Sequence, residues 1–398
     1  MLKGNHGNKG QRAARGHKKF ALATVAATIL LGTTGAWSQV MAPSMQSPQS
    51  VLGTTSVLSA TPLSLARAIE LAMESNPEVA AATRQVEASE GQVIQGRVRP
   101  NPELAYSLED TRSQTRTQSW QLNLPIELGG KRAARTKAAE KAREQALAQL
   151  ADVRATVRAN VVAAFFDVLT AQERLALAKD SSALAKSSTA AVAKRVAAGM
   201  VSPVGETKAR VAESGIRVEL SQAASEERNA LTRLNALLGR TTAVAGALEG
   251  KADDLPTLPT LMDLQSLVDS SPAVVLAKVE VERRRALTEV ERSKRVPDVT
   301  VSAGVQRANE TQRNVLLLGI SMPLPLFDRN QGNLLEALKL EDKAQDELQA
   351  ITVRLRSEVA QAHDRLSTIA NEVQALQADV LPGSKSAYDA ATIGFENG

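Results

Sequence analysis

Trp120-Gln121-Leu122-Asn123-Leu124-Pro125-Ile126 alternates large apolar residues with polar ones and closes on a proline. A period of two marks a strand with one apolar and one polar face. About 198 residues later the chain writes the same ending again, Ile320-Ser321-Met322-Pro323-Leu324. The likeness extends in both directions. Upstream, Ser75-Asn76-Pro77-Glu78-Val79 answers to Ser270-Ser271-Pro272-Ala273-Val274. A helical stretch follows each, 78–98 and 273–296, and stops at Pro100 or Pro297. Then come a strand (103–109 or 298–306), a polar loop (110–117 or 307–314) and a returning strand (119–126 or 315–324). A basic, glycine-bearing turn leads on, Gly129-Gly130-Lys131-Arg132 or Asp328-Arg329-Asn330-Gln331-Gly332, and a very long helix begins. This many punctuation marks at a near-constant offset of about 195–198 residues specify a duplicated half-protein. Solenoid units are far shorter. Pro100, Pro125, Pro297 and Pro323 are the expected junctions between strands and helices.

The long helix of copy one carries a heptad seam. Leu147, Leu150, Val157, Val161, Ala164, Val168, Ala171, Leu175 and Ala178 fall on the a and d positions, with Arg154 as the polar break. No proline or glycine interrupts the chain from Lys131 to Ala198, which predicts a helix on the order of 100 Å long. Gly199 stops it, and Ser202-Pro203 restarts a second helix as N-cap and first-turn proline. That helix runs to Leu238 and stops at Gly239. Copy one therefore ends in a helical hairpin with its tip at 199–203.

Composition agrees with helices packed along their length. The 398 residues are 43% hydrophobic but 2% aromatic, fewer rings than a compact globular core uses. Cysteine is absent, which excludes disulfides and thiol chemistry. Of three histidines, His6 and His17 lie near the N-terminus, leaving His363 alone and excluding a multi-histidine metal site. No phosphate loop, nucleophile elbow or zincin motif occurs, so the chain is not expected to be an enzyme or to hold a cofactor. His363 reads as a helix-face residue. The acid pairs Asp253-Asp254 and Glu341-Asp342 read as solvated faces.

Residues 1–38 read as an export signal. Lys3, Lys9, Arg12, Arg15, Lys18 and Lys19 precede an apolar run at 20–32, and small residues follow it. The run is too short to span a membrane. These six cations explain the chain's +5, since without residues 1–38 the formal charge is −1. The basic balance is no argument for nucleic acid. Residues 39–62 read as a flexible leader, 63–239 as the first repeat, 240–260 as a connector and 261–398 as the second repeat.

The strands are about 8–10 residues long, near what a tilted membrane-spanning strand needs. Leu104, Tyr106 and Leu108 alternate as Trp120–Ile126 does, and so do Val299, Val301, Ala303 and Val305. Four strands cannot close a barrel, but three chains would supply twelve and remove every edge. A soluble β-element capping a helical bundle is the other reading of the same strands.

The order of elements and their duplication resemble the TolC-like outer membrane factors over Leu63 to the C-terminus. Arg99-Pro100-Asn101-Pro102-Glu103-Leu104 and Glu127-Leu128-Gly129-Gly130-Lys131-Arg132 look most like that family's heavy-metal branch, the CzcC, CnrC and NccC type. The resemblance implies a mostly α fold with a membrane β element. A homotrimer would close a twelve-stranded barrel in outer-membrane lipid and extend it as a periplasmic helical tunnel. It further implies an inner-membrane proton-driven (RND-type) pump and a periplasmic adaptor as partners, with cobalt, zinc, cadmium or nickel as cargo. Arg195, Gly199, Met200, Val201, Ser202 and Glu206 would form the adaptor-docking tip. A drug or organic-solute duct of the same family is the nearest alternative. A soluble periplasmic coiled-coil adaptor is a further one, although adaptors usually carry one unduplicated hairpin. Gly398 aligns with Gly199, so the second repeat is expected to stop at its tip. About forty residues would then be missing relative to a complete member, by analogy with the stretch from Gly199 to Gly239.

Overall fold

The computed structural model describes residues 62–240, 248–250 and 258–397, with side chains as far as Ile393. The expected export signal, nearly all of the leader and most of the connector, Asp253-Asp254 included, lie outside the described residues.

Copy one runs α1 (Leu65–Ser75), α2 (Pro77–Arg97), β1 (Glu103–Glu109), β2 (Thr117–Ile126), α3 (Lys131–Ala197) and α4 (Pro203–Leu237). Copy two runs α5 (Leu261–Leu267) with a 3-10 turn (Val268–Ser270), α6 (Pro272–Ser293), β3 (Val299–Ala308), β4 (Arg313–Ser321) and α7 (Gln331–Ala375). A π turn (Leu376–Val380) then leads into α8 (Leu381–Asn397). The repeated Ser/Asn-Pro marks are helix starts in both copies. Asn76 Oδ1 accepts from the Glu78 and Val79 amides at 2.8 and 3.3 Å, and Ser271 Oγ accepts from Val274 at 3.4 Å. Pro77 and Pro272 occupy the first helical positions, where no amide hydrogen is needed.

The strands form one antiparallel sheet in the order β1-β2-β3-β4. Its central seam joins the two copies, from Thr117 opposite Ala308 to Ile126 opposite Val299. The sequence placed β4 at 315–324, whereas the strand spans 313–321. Ser321 pairs with Thr300, the second residue of β3, so from Pro323 onward β3 offers the chain no neighbour. Pro323 consequently lies in a nine-residue turn, 322–330, where copy one needs only 127–130. Pro125, by contrast, sits inside β2 opposite Thr300. By then β1 has ended, at Glu103 opposite Asn123, so β2 has a neighbour on one side only, where a proline is tolerated. The longer turn delays α7, which starts 200 residues after α3.

The core gathers where α1, the start of α2, the middle of α3 and the end of α4 meet. Val157, Val161 and Val168 are fully buried there with Phe165, Leu234 and Leu238. The predicted seam needs one correction. Leu147 is 44% exposed, while Phe165 and Leu169, off the a/d pattern, are buried. A two-in-seven seam describes a helix with one partner, but α3 packs against α1, α2, α4 and α6, which widens its buried stripe. Part of the connector joins this core: Leu248 bridges to Leu63, and the Glu249 amide donates to Leu63 O at 3.0 Å.

Candidate functional site

The register assigns every strand residue to one of two faces. Leu104 lies opposite Leu122, Tyr106 opposite Trp120, Leu122 opposite Ala303, Trp120 opposite Val305, and Val301 opposite Ile320. Alternation carries these onto one continuous apolar face with Leu108, Leu124, Ile126, Leu316 and Leu318. The face is open to its surroundings: Leu318 and Ile320 are 76% and 78% exposed. Tyr106 and Trp120 pack together on it, their rings tilted by 44° with centroids 4.6 Å apart. The opposite face carries Ser107, Ser119, Gln121, Asn123, Thr300, Ser302 and Gln306, and Ser107 and Ser119 share a 2.6 Å hydrogen bond. A sheet with an uncovered apolar face and a polar reverse suits lipid on one side and water on the other. β1 and β4 each leave one edge unpaired within the chain. At the loop end the hairpins are tied together by Asn309, whose side chain donates to Ser113 O and whose amide donates to Arg116 O, both at 2.9 Å. Asp110 closes the first loop in a left-handed conformation. Hydrogen bonds from Thr115 and the Arg112 amide hold its carboxyl below the usual aspartate range.

At the other end the sheet is bolted to the helices by charges that sequence reading did not single out. Arg135 donates to both Glu127 oxygens at 2.6 and 3.3 Å and to the carbonyls of Gly96 and Val98 at 3.2 and 3.0 Å. One guanidinium thus joins α2, the turn after β2, and α3. Lys131 reaches Asp298 of the other copy at 2.8 Å, and Asp298 also accepts from the Leu128 amide at 3.1 Å. In copy two Asn330, in a left-handed conformation, donates to Glu291 at its carbonyl (2.9 Å) and its carboxylate (2.8 Å). The four junction prolines do not share one place. Pro100 and Pro297 precede β1 and β3, Pro125 lies within β2, and Pro323 follows β4. The motif 127–132 signalled a turn, but nothing local pointed to a partner about 170 residues away.

Lower down, Glu280 on α6 accepts from Arg283, Arg284 and, on α3, Gln145, all at 2.7–2.8 Å. Burial pushes this carboxyl up, but the two arginines outweigh that and hold it below the ordinary glutamate range. His363 lies on α7, partly buried, with Nδ1 3.7 Å from Asp364. Glu341 pairs with Arg285 at 3.3 Å, and Asp342 with Lys339 at 2.9 Å. Among the described residues no three potential metal ligands come together.

The residues singled out at the tip do converge. Gly199 has φ +75°, its amide donates to Val196 O and the Met200 amide donates to Arg195 O, both at 2.9 Å. That pair of bonds ends α3 as a Schellman motif, which needs the left-handed residue glycine supplies. Ser202 caps α4 through Val204 at 3.4 Å, and Glu206 accepts from Arg210 at 2.6 Å. Met200 is 75% exposed, and Val201 and Val204 lie beside it, so the turn is an apolar knuckle on a rigid stem.

A family model described as outer membrane efflux protein matches residues 68–240 and 264–398, a stretch in each copy. The chain belongs to the outer membrane efflux protein family. This efflux protein is 45% identical over 363 residues to the cobalt-zinc-cadmium resistance protein CzcC of Cupriavidus metallidurans, across 90% of its own length and 87% of the relative's. The nickel-cobalt-cadmium resistance protein NccC of Alcaligenes xylosoxydans xylosoxydans is 29% identical over 245 residues, 62% of this chain and 55% of NccC. Crystal structures of CusC share the fold, with a TM-score of 0.68 at 18% identity over 84% of this chain and 82% of that one. As an outer membrane efflux protein the chain resides in the outer membrane and extends its helices into the periplasm. Among the described residues no helix is long and apolar enough to cross a membrane.

Proposed function

We propose that this protein is the outer-membrane duct of a proton-driven tripartite efflux system that exports divalent heavy-metal cations. The two-faced sheet carries the reading. Its apolar face requires lipid, its polar face suits an aqueous lumen, and its two free edges require partners that a second and third copy would supply. Three chains then close twelve strands, with α3 and α7 continuing the lumen as a periplasmic tunnel. The cargo class rests on the likeness to CzcC and NccC. The duct performs no chemistry. Metal selectivity falls to the pump and its adaptor, and the knuckle at Gly199–Val201, steadied by Arg195, Ser202 and Glu206, is the surface offered to the adaptor's helical hairpin.

Deleting the gene is expected to abolish resistance to cobalt, zinc or cadmium while everted inner-membrane vesicles keep full pump-driven uptake. Loss of vesicle uptake as well would defeat a purely downstream role. For the tip, a Met200→Cys variant in an active complex should cross-link to the adaptor, and no cross-link would remove the docking assignment.

A further inference from the structure

The lower rim of the apolar face opens into a groove of about 460 Å³, lined by Leu124 and Ile126 together with Arg99 and Arg132. Leu124 and Ile126 belong to the apolar face, so groove and face are one continuous surface. Arg99 and Arg132 are exposed and have no ion-pair partner among the described residues. The acid that also lines the groove, Glu127, is already engaged by Arg135, and the neighbouring cation Lys131 is engaged by Asp298. Two guanidinium groups with no protein carboxylate engaged beside an apolar surface offer an anion charge-assisted hydrogen bonds. A second groove, lined by residues of both copies, places Arg295 and Arg329 near Leu324 and Phe327, the latter 92% exposed, but there the acids Asp298 and Asp328 line it too.

We propose that the groove at Arg99 and Arg132 binds the phosphodiester headgroup of a glycerophospholipid, whose acyl chains run along Ile126 and Leu124. The proposal rests on the reading of the sheet as membrane-spanning. If the sheet spans the bilayer, its lower rim stands at the headgroups of the periplasmic leaflet. Guanidinium matches phosphate oxygens in a bidentate fork, and the apolar wall starts where the headgroup ends. Free phosphate would use the arginines and leave the wall unused.

The test uses the full chain, delipidated in detergent, with phosphatidylglycerol titrated by native mass spectrometry. The Arg99→Ala/Arg132→Ala variant is expected to bind phosphatidylglycerol roughly tenfold more weakly than wild type, and the double lysine variant to fall between them. Equal binding by alanine variant and wild type would overturn the proposal. So would displacement of the lipid by inorganic phosphate at matched concentration, which would make the site one for a free anion. On the wild-type protein, phosphatidylglycerol with a photoreactive group at the top of its acyl chain should label residues 124–133, and labelling confined elsewhere would refute the assignment even if the variant fails to fold. A disulfide between Ile126→Cys of one copy and Phe327→Cys of another, in place of bound lipid, would show that a neighbouring loop fills the groove. Insertion of wild type into phosphatidylethanolamine–phosphatidylglycerol liposomes is scored separately. Failure there defeats the membrane reading and the lipid site together. Insertion without lipid retention defeats the lipid site alone.

Discussion

The two copies carry helices of equal span, α3 from Lys131 to Ala197 and the α7–α8 run from Gln331 to Asn397, which share α6 as a neighbour but differ in how far they are covered. α3 is enclosed by α1, α2, α4 and α6, and Phe165 is 1% exposed. Along α7, Ala344 is the one buried residue, while Leu366 and Ile369 are each 46% exposed and Ile393, on α8, is 61% exposed. The lesson is that a heptad pattern states what a helix can bury, and its neighbours determine what it does bury. The means of attachment differ as well. α2 meets α3 by close packing at Gly96, where a Cβ would stand 3.4 Å from Ala139 Cβ, with the exposed pairs Arg97–Glu140 and Glu90–Arg143 alongside. α6 meets α3 through the Glu280 cluster.

The largest effect should come from emptying the enclosed core. Phe165→Ala is expected to cost about 3–5 kcal/mol, and Leu366→Ala less than about 1 kcal/mol, in thermal or denaturant melts of the unassembled chain. If Leu366→Ala becomes as damaging in heat-resistant trimers, neighbouring copies cover this face of α7, and the contrast between copies belongs to the monomer alone.

A second contrast lies between the faces of the sheet. Leu122→Arg should cost about 2–4 kcal/mol of insertion, and Gln121→Arg far less, scored as heat-modifiable protein in the outer-membrane fraction. Equal damage from both would reverse the assignment of lipid and water sides.

Two left-handed glycines sharpen the comparison between hairpin ends. At Gly239 (φ +66°) a Cβ would stand 2.2 Å from Ser75 O, whereas at Gly199 (φ +75°) nothing lies within 4 Å. Gly199→Ala should cost about 1 kcal/mol from backbone strain, and Gly239→Ala clearly more because the α1–α2 corner must move. Similar melting temperatures for the two variants would break this ranking.

The smallest effect is the pH response of the α3–α6 contact. Glu280 is held below its ordinary value of 4.5, so its stabilisation is present above that pH and is lost as the pH falls through the lower, folded-state value. Glu280→Gln should flatten the acid limb of stability below about pH 4.5, and an unchanged limb would assign acid sensitivity to other carboxylates.

Much of the architecture is legible in the chain because it is local. Ser-Pro and Asn-Pro starts, glycine stops and period-two alternation each act within a few residues, and duplication let one copy check the other. The pattern carries β4 too far because Met322-Pro323-Leu324 continues the alternation where β3 comes to its end. Leu147 was misplaced because a seam has no knowledge of how many helices surround it. At the site, the tip was readable, since Gly199, Ser202 and Pro203 are adjacent. The junction was not, since Arg135 and Lys131 find their acceptors on segments that only folding brings near.

The sequence by itself determined the repeat, the lengths of helices and strands, and the residues able to face lipid, because propensity, capping and periodicity are short-range. Tertiary structure decided which apolar residues are covered, how β2 of one copy is registered on β3 of the other, and where Lys131, Asp298, Arg135 and Glu127 meet. Those depend on contacts between segments as much as about 190 residues apart, and no local pattern encodes the position of a partner that distant.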